Sequence, residues 1–424
     1  MARLSLLLFS WLFFVFALAQ RPSEIKVGIV TFLSGPASVF GIPAKNAADL
    51  LIDQWNRAGG IAGVRVRPVV VDEAGGAEKQ VAELRRLVLE ERVDLVIGYI
   101  SSADCLAVAP VAEELKVPLI LFDCGTPQIF EERRYAYVFR TAAHAALDSV
   151  AAALYVLKTN PNLRTIAGIN QDYAWGRDSW ELFKGTILAL KPDVRVVAEL
   201  WPRLYAGEYS TEISRLLSLR PEVIHSSFWG GDLVSFVRQG LGRGLFGRSR
   251  VVLTAGEHML QELGRSLPSG VIIGARGDHW FLHPTAKDDP AHRAFVEEYW
   301  RRFNRYPVYP SYHMTQALLA MRAGYERALR GTGGRWPTRE EFAQALVGLE
   351  VKTFTGSIRI REDHQAVEDA LYGVTAHTPQ YPFAVLERMI LFPKELVNPP
   401  VGLRSADWVK TLRPEVLRQV PDPR

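Results

Sequence analysis

The chain has 424 residues, 48% of them hydrophobic and 23% charged, with a formal net charge of +4. That is ordinary globular composition and enough chain for two domains rather than one. So mild a charge, with no Lys/Arg block and no basic stripe interleaved with aromatics, argues against nucleic acid as a partner.

At the start of the chain Arg3 precedes an apolar run from Leu6 to Leu18, broken only by Ser10, that closes on Ala17-Leu18-Ala19-Gln20. A positive start, roughly 13 apolar residues and an Ala-x-Ala exit form the pattern of a secretory signal peptide, read as residues 1–19. The run is shorter than the ~20 residues of a bilayer span. Cleavage near Ala19 leaves a soluble, exported chain beginning near Gln20. Gln20 rather than a Cys stands directly after that point, so a lipid anchor is not expected. The two cysteines, Cys105 and Cys124, are free to pair in an oxidising compartment. In so large a core a disulfide is accessory.

Strand-like and helix-like patterns then alternate. Ile25–Phe32 is β-rich, and Pro43–Arg57 carries apolar residues at helical spacing before ending at Gly59-Gly60. Val64–Val71, Leu95–Ile97 and Leu119–Phe122 follow as short apolar strands separated by single helices, the mark of a buried parallel sheet. After a break at Val138–Thr141 a second series runs through strands Thr165–Ile169, Arg195–Leu200, Val223–Ser226 and Val251–Leu253. The expected fold class is therefore α/β, with two doubly wound lobes and a crevice beyond the carboxyl ends of their strands. More α/β material follows from about Ala255. The Pro- and Arg-rich tail from about Asn398 is expected to wrap a surface.

Catalytic patterns do not assemble. Gly242-Arg243-Gly244-Leu245-Phe246-Gly247 fits G-x-G-x-x-G, but a helix precedes it and a strand follows, the reverse of the order phosphate binding needs. His279 and His283 have a metal-like i, i+4 spacing, yet Gly277 and Pro284 bracket them and favour a loop. Asp288-Asp289 reads as a solvated turn before Pro290. We expect no enzyme activity, no metal and no cofactor. The informative residues lie at strand ends. Gly98–Ser102 opens a helix with hydroxyls and free backbone N–H groups, and Asp123–Pro127 offers a second such turn on the next strand. Each turn alone suits helix capping; together they suggest a shared anion site.

From Glu24 to about Val374 the chain resembles the type I periplasmic binding proteins of branched-chain amino acid importers, the leucine/isoleucine/valine-binding family. The carrying segments are Leu33-Ser34-Gly35-Pro36, Asn56–Gly63, Ile97–Ser102, Val117–Ile120, Phe139-Arg140-Thr141 and Tyr173-Ala174-Trp175-Gly176. The resemblance implies three crossovers, near residues 141, 255 and 372. Lobe 1 is then 24–141 plus 256–371, and lobe 2 is 142–255 plus 372–424. It implies a substrate-binding component of an ABC importer that closes two lobes on an amino acid or a related amine or carboxylate, with permease subunits as partners. The alternative is a sensor or regulator on the same fold. Carried over by position, Ser102, Cys124 (through its backbone) and Thr126 hold a carboxylate, and Glu257 holds an ammonium. Trp175, Trp229 and Phe40 stand where the family has Tyr, and Tyr309 matches an aromatic position beside the side-chain pocket. Fewer phenols and more apolar area imply a larger or more apolar ligand than leucine. Insertions around Trp201–Glu208 and the long C-terminal extension depart from the family's minimal length.

Overall fold

The computed structural model describes residues 21–424, so the expected signal peptide lies outside the described residues. Residues Glu24–Thr31 (β1), Arg65–Asp72 (β2), Leu95–Gly98 (β3), Leu119–Leu121 (β4) and Val138–Arg140 (β5) form an all-parallel sheet in the order β2-β1-β3-β4-β5. β3, β4 and β5 are buried along their whole length, while β2 leaves Arg65 and Arg67 exposed at one edge. That contrast follows from sequence. Val/Ile/Leu runs are stable only with both faces covered, and a strand bearing alternate charges tolerates an edge.

A second sheet is built from Thr165–Ile169 (β6), Arg195–Leu200 (β7), Val223–Ser226 (β8), Arg250–Leu253 (β9) and Ile272–Gly274 (β10), all parallel. A small antiparallel sheet of Glu350–Lys352 (β11), Ser357–Ile360 (β12) and Ala366–Val367 (β13) flanks the first lobe. The chain then returns to the second sheet as Ala370–Ala376 (β14) and Val385–Phe392 (β15), giving β15-β14-β10-β9-β8-β6-β7. In each sheet the strand order reverses beside a central strand, at β1/β3 and at β6/β8. Such reversals open a crevice at the carboxyl ends of the strands.

The three crossovers are Arg140–His144 after β5, the segment after β10, and Glu368–Asp369 between β13 and β14. The first runs through residue 141. The second lies later than expected: Ile272 and Ile273 pair with β9, so the chain stays in the second sheet about twenty residues beyond 255. A strand of three residues bounded by turns carries too little periodicity to be assigned to a sheet in advance. β14 begins at Ala370, two residues before the expected third crossover. The Gly242–Gly247 segment is a helix end followed by a short 3-10 turn, consistent with its reading as a loop.

The helix Ala145–Thr159 is buried without a break from Ala145 to Leu157. An apolar surface all round requires cover on every side, and the C-terminal chain supplies part of it. Lys158 Nζ reaches the Val420 carbonyl at 3.1 Å, and the helix Ser405–Thr411 buries Trp408 and Val409 beside the helix Ala174–Leu190. Among the described residues no helix is long and apolar enough to cross a membrane. Cys105 and Cys124 are free, buried thiols. Burial and the neighbouring Cys124 push the Cys105 thiol well up.

Candidate ligand-binding cleft

The first lobe brings two turns to the cleft. Beyond β3, the helix Ser102–Glu114 starts with Ser102 Oγ accepting the Thr126 N–H at 3.2 Å, which joins the β3 turn to the β4 turn. The backbone N–H groups expected to be free at the β3 turn are not. Buried Glu73 accepts from Ile100 N and from Ser101 N, each at 2.8 Å. Burial, with Asp104 nearby, pushes the Glu73 carboxyl well above its ordinary range. Thr126 Oγ1 donates to Asp178 Oδ2 of the second lobe at 2.6 Å, and Gln128 Nε2 donates to Asp178 Oδ1 at 3.1 Å. Cys124 contributes its carbonyl to Arg140 Nη1 at 3.0 Å, while its side chain packs in the core.

The second lobe supplies the aromatic wall. Trp175 opens the helix after β6, and its indole N–H donates to the Ser227 carbonyl at 2.8 Å. Trp229 follows β8 and donates to the Tyr173 hydroxyl at 2.6 Å. Across the cleft the Phe40 ring lies 5.6 Å from that of Trp229 and 5.0 Å from that of Tyr309. Phe40, Ser102, Trp175, Trp229 and Tyr309 thus line one cavity. The free space between them is about 10 Å³, room for one water molecule at most. Further contacts hold the lobes together. Gly231 N donates to the Pro36 carbonyl at 3.0 Å, and Gly125 lies flat under the Trp175 ring. The cleft is closed.

Two residues alter its chemistry. Arg276, from the crossover after β10, projects into the cavity with only 4% of its surface exposed. Its guanidinium lies 4.3 Å from the Trp175 ring centre and donates to the carbonyls of Asp123 and Ala143 at 3.0 and 2.9 Å. Asp148 and Asp123 carboxylates stand 3.3 and 3.5 Å away. Burial works against the charge of Arg276, and those two acids more than offset it. The signal was present in sequence as a lone cation just past an apolar run, in Gly274-Ala275-Arg276-Gly277. It was legible only if that run was known to be a strand.

Glu257, expected at a ligand ammonium, is instead turned toward a helix. It is fully buried and absent from the cavity lining, and its Oε2 accepts the Tyr309 N–H at 2.7 Å. Tyr309 begins the helix Tyr309–Gly331, whose N-cap Val308 offers no side-chain acceptor. Glu257 therefore satisfies one of the orphan N–H groups of that helix from a distant part of the chain. The acid that faces the cavity is Asp123.

Two α/β lobes on three crossovers, clasped over an aromatic cavity with one charged side, form the architecture of a solute-binding protein. Residues 24–376 match the model of the periplasmic binding protein family, and the chain belongs to that family. It is a family of transporter binding proteins rather than enzymes. The leucine-, isoleucine-, valine-, threonine- and alanine-binding protein of Pseudomonas aeruginosa is 23% identical over 350 residues, 81% of this chain and 87% of that relative. A Leu/Ile/Val-binding protein of Rhizobium johnstonii is 29% identical over 167 residues, 39% of this chain, and the match spans 45% of that relative's length. Among solved structures, a solute-binding protein of an ABC transporter from R. palustris in complex with benzoate superposes with a TM-score of 0.76 at 18% identity. That match covers 90% of this chain and 99% of the other. A leucine-binding protein from Thermotoga maritima gives 0.73 at 20% identity, covering 88% and 99%. These likenesses establish the fold.

Proposed function

We propose that this chain is the extracytoplasmic substrate-binding component of an ABC importer, exported by residues 1–19 with cleavage near Ala19. Its ligand is a small carboxylate with an apolar body, taken up by closure of the two lobes. Loaded and empty forms then present different surfaces, which lets permease subunits distinguish them. The observation that carries the ligand class is Arg276, a desolvated cation set among Trp175, Tyr309 and Asp123. A ligand carboxylate meets that guanidinium directly. An α-ammonium has to displace it from Asp123, and Glu257 is turned away. Charge therefore favours a carboxylic acid lacking the ammonium group over an amino acid. Relatives of the same fold hold benzoate and 3,4-dihydroxybenzoic acid, which suits the indole and phenyl walls here. Ser102 and Thr126 supply the polar end as the lobes part and reclose.

Calorimetry and thermal shift with benzoate, 4-hydroxybenzoate, leucine and glucose test this reading. An aromatic acid at about 100 times its Kd should raise stability by about 2.7 kcal/mol. Arg276→Lys keeps the charge but loses the planar fork, and a charge-assisted hydrogen bond is worth about 1.5–3 kcal/mol. Affinity for the acid should then fall tenfold to a hundredfold. A shift with leucine alone, unaffected by Arg276→Lys, would overturn the proposal.

A further inference from the structure

Behind the cleft, three buried side chains from separate parts of the chain converge. His279 lies on the crossover after β10, Glu368 on the crossover between β13 and β14, and His313 on the first-lobe helix Tyr309–Gly331. One ligand-capable atom of each lies within 4.8 Å of the other two. His279 Nε2 and Glu368 Oε2 are 3.3 Å apart. Two atoms bound to one tetrahedral zinc at about 2.0–2.1 Å stand about 3.3 Å from each other. All three residues are at most 2% exposed. His279 Nε2, His313 Nδ1 and Glu368 Oε1 have no hydrogen-bond partner. Buried polar atoms left unpaired are costly and rare.

The remaining atoms of the three residues are already oriented. His279 Nδ1 lies 3.3 Å from Thr355 Oγ1 and 3.4 Å from Asp278 Oδ1, which leaves Nε2 as the presented nitrogen. His313 Nε2 lies 2.9 Å from the Arg276 carbonyl and so carries the proton. Its Nδ1 then points a lone pair toward Asp123 Oδ2, 3.2 Å away, and neither atom has a hydrogen-bond partner. Gln316 Nε2 donates to Glu368 Oε2 at 2.6 Å. Fixing the far side of each ligand in this way is how proteins tune metal sites. Charge runs in the same direction. Asp123, Asp148, Asp278 and Glu368 share this buried network with a single guanidinium, Arg276.

We propose that His279, His313 and Glu368 form a divalent-cation site at the hinge, of the nitrogen and oxygen character that suits Zn²⁺. A bound ion ties two of the three crossovers to the first lobe and so sets how freely the lobes move. The proposal is independent of which solute enters the cleft.

The full-length mature protein, stripped with a chelator and dialysed, should take up one equivalent of Co²⁺ per chain with the visible bands of a four-coordinate ion. Zn²⁺ should displace it and raise the melting temperature. His279→Gln should weaken Zn²⁺ binding at least a hundredfold, while His377→Gln, at an exposed histidine, should leave it unchanged. Thr355→Val keeps all three ligands and should weaken binding about tenfold to a hundredfold. This second variant keeps the test decisive if His279→Gln does not fold. No uptake by the wild type, a six-coordinate spectrum, or wild-type affinity in the Thr355 and His279 variants would overturn the site.

Discussion

A carboxylate in the Glu257 position can serve a ligand or the fold, and here its partner is the Tyr309 N–H. Burial pushes this carboxyl well above its ordinary range, and the single backbone hydrogen bond only partly opposes that. Glu257→Gln keeps an oxygen acceptor for the Tyr309 N–H. Ligand affinity should stay within about twofold, since Glu257 does not line the cavity. Glu257→Ala removes the acceptor from a buried helix N-terminus and should lower stability by about 1–3 kcal/mol. Calorimetry on the bound acid and urea unfolding of the free protein separate the two effects. A tenfold or greater loss of affinity in the Gln variant would restore the role in ammonium binding implied by family resemblance. That role rested on position in the chain, and a residue's position does not specify which way its side chain turns.

Strand β8 shows what burial does to a titrating group inside an element. His225 is fully buried, stacks on Phe183 with ring centres 4.4 Å apart, and sets Nε2 3.0 Å from Thr254 Oγ1. Burial alone lowers it to about 3. The unfolded chain therefore binds the proton first as pH falls below about 6.5. Stability from this residue is complete above that pH and is lost between about 6.5 and 3, at about 1.4 kcal/mol per pH unit. His225→Gln should remove that component, so wild type and variant should diverge by about 2 kcal/mol less at pH 5 than at pH 7. Urea unfolding at pH 7, 6 and 5 measures it, and parallel curves would refute it. The apolar run around His225 identified β8 from sequence, because both flanks of a central strand must be covered. β10 escaped because three residues between turns look alike in a strand and a loop.

At the scale of the molecule, the contact that decides closure is Gly125 beneath Trp175. A Cβ added to Gly125 would fall 2.2 Å from Cε3 of Trp175 in the opposite lobe and 2.9 Å from Nη1 of Arg276 on the crossover after β10. Gly125→Ala is therefore harmless to either lobe alone and opposes their approach. Overpacking of this kind costs about 1–3 kcal/mol, so ligand affinity should drop about tenfold to a hundredfold. Small-angle scattering with ligand should give a larger radius of gyration than wild type. Wild-type affinity and scattering from the variant would mean that closure takes another geometry. The clasp Thr126–Asp178–Gln128 belongs to the same motion, since Asp178 reaches it from the second lobe.

Local pattern was sufficient for the parallel strands and the two lobes, because strand periodicity and turn chemistry act between near neighbours. Phe40, Ser102, Trp175, Trp229 and Tyr309, which line one cavity, were candidates through family resemblance rather than local pattern. The insertion of Arg276, the capture of the Ile100 and Ser101 amides by Glu73, the turn of Glu257 to Tyr309, and the meeting of His279, His313 and Glu368 were not readable in that way. Each joins residues from separate segments of the chain, brought together only when the lobes pack and the three crossovers run side by side. Which buried charge finds which partner is settled by that packing, because burial leaves a charged group no water to turn to.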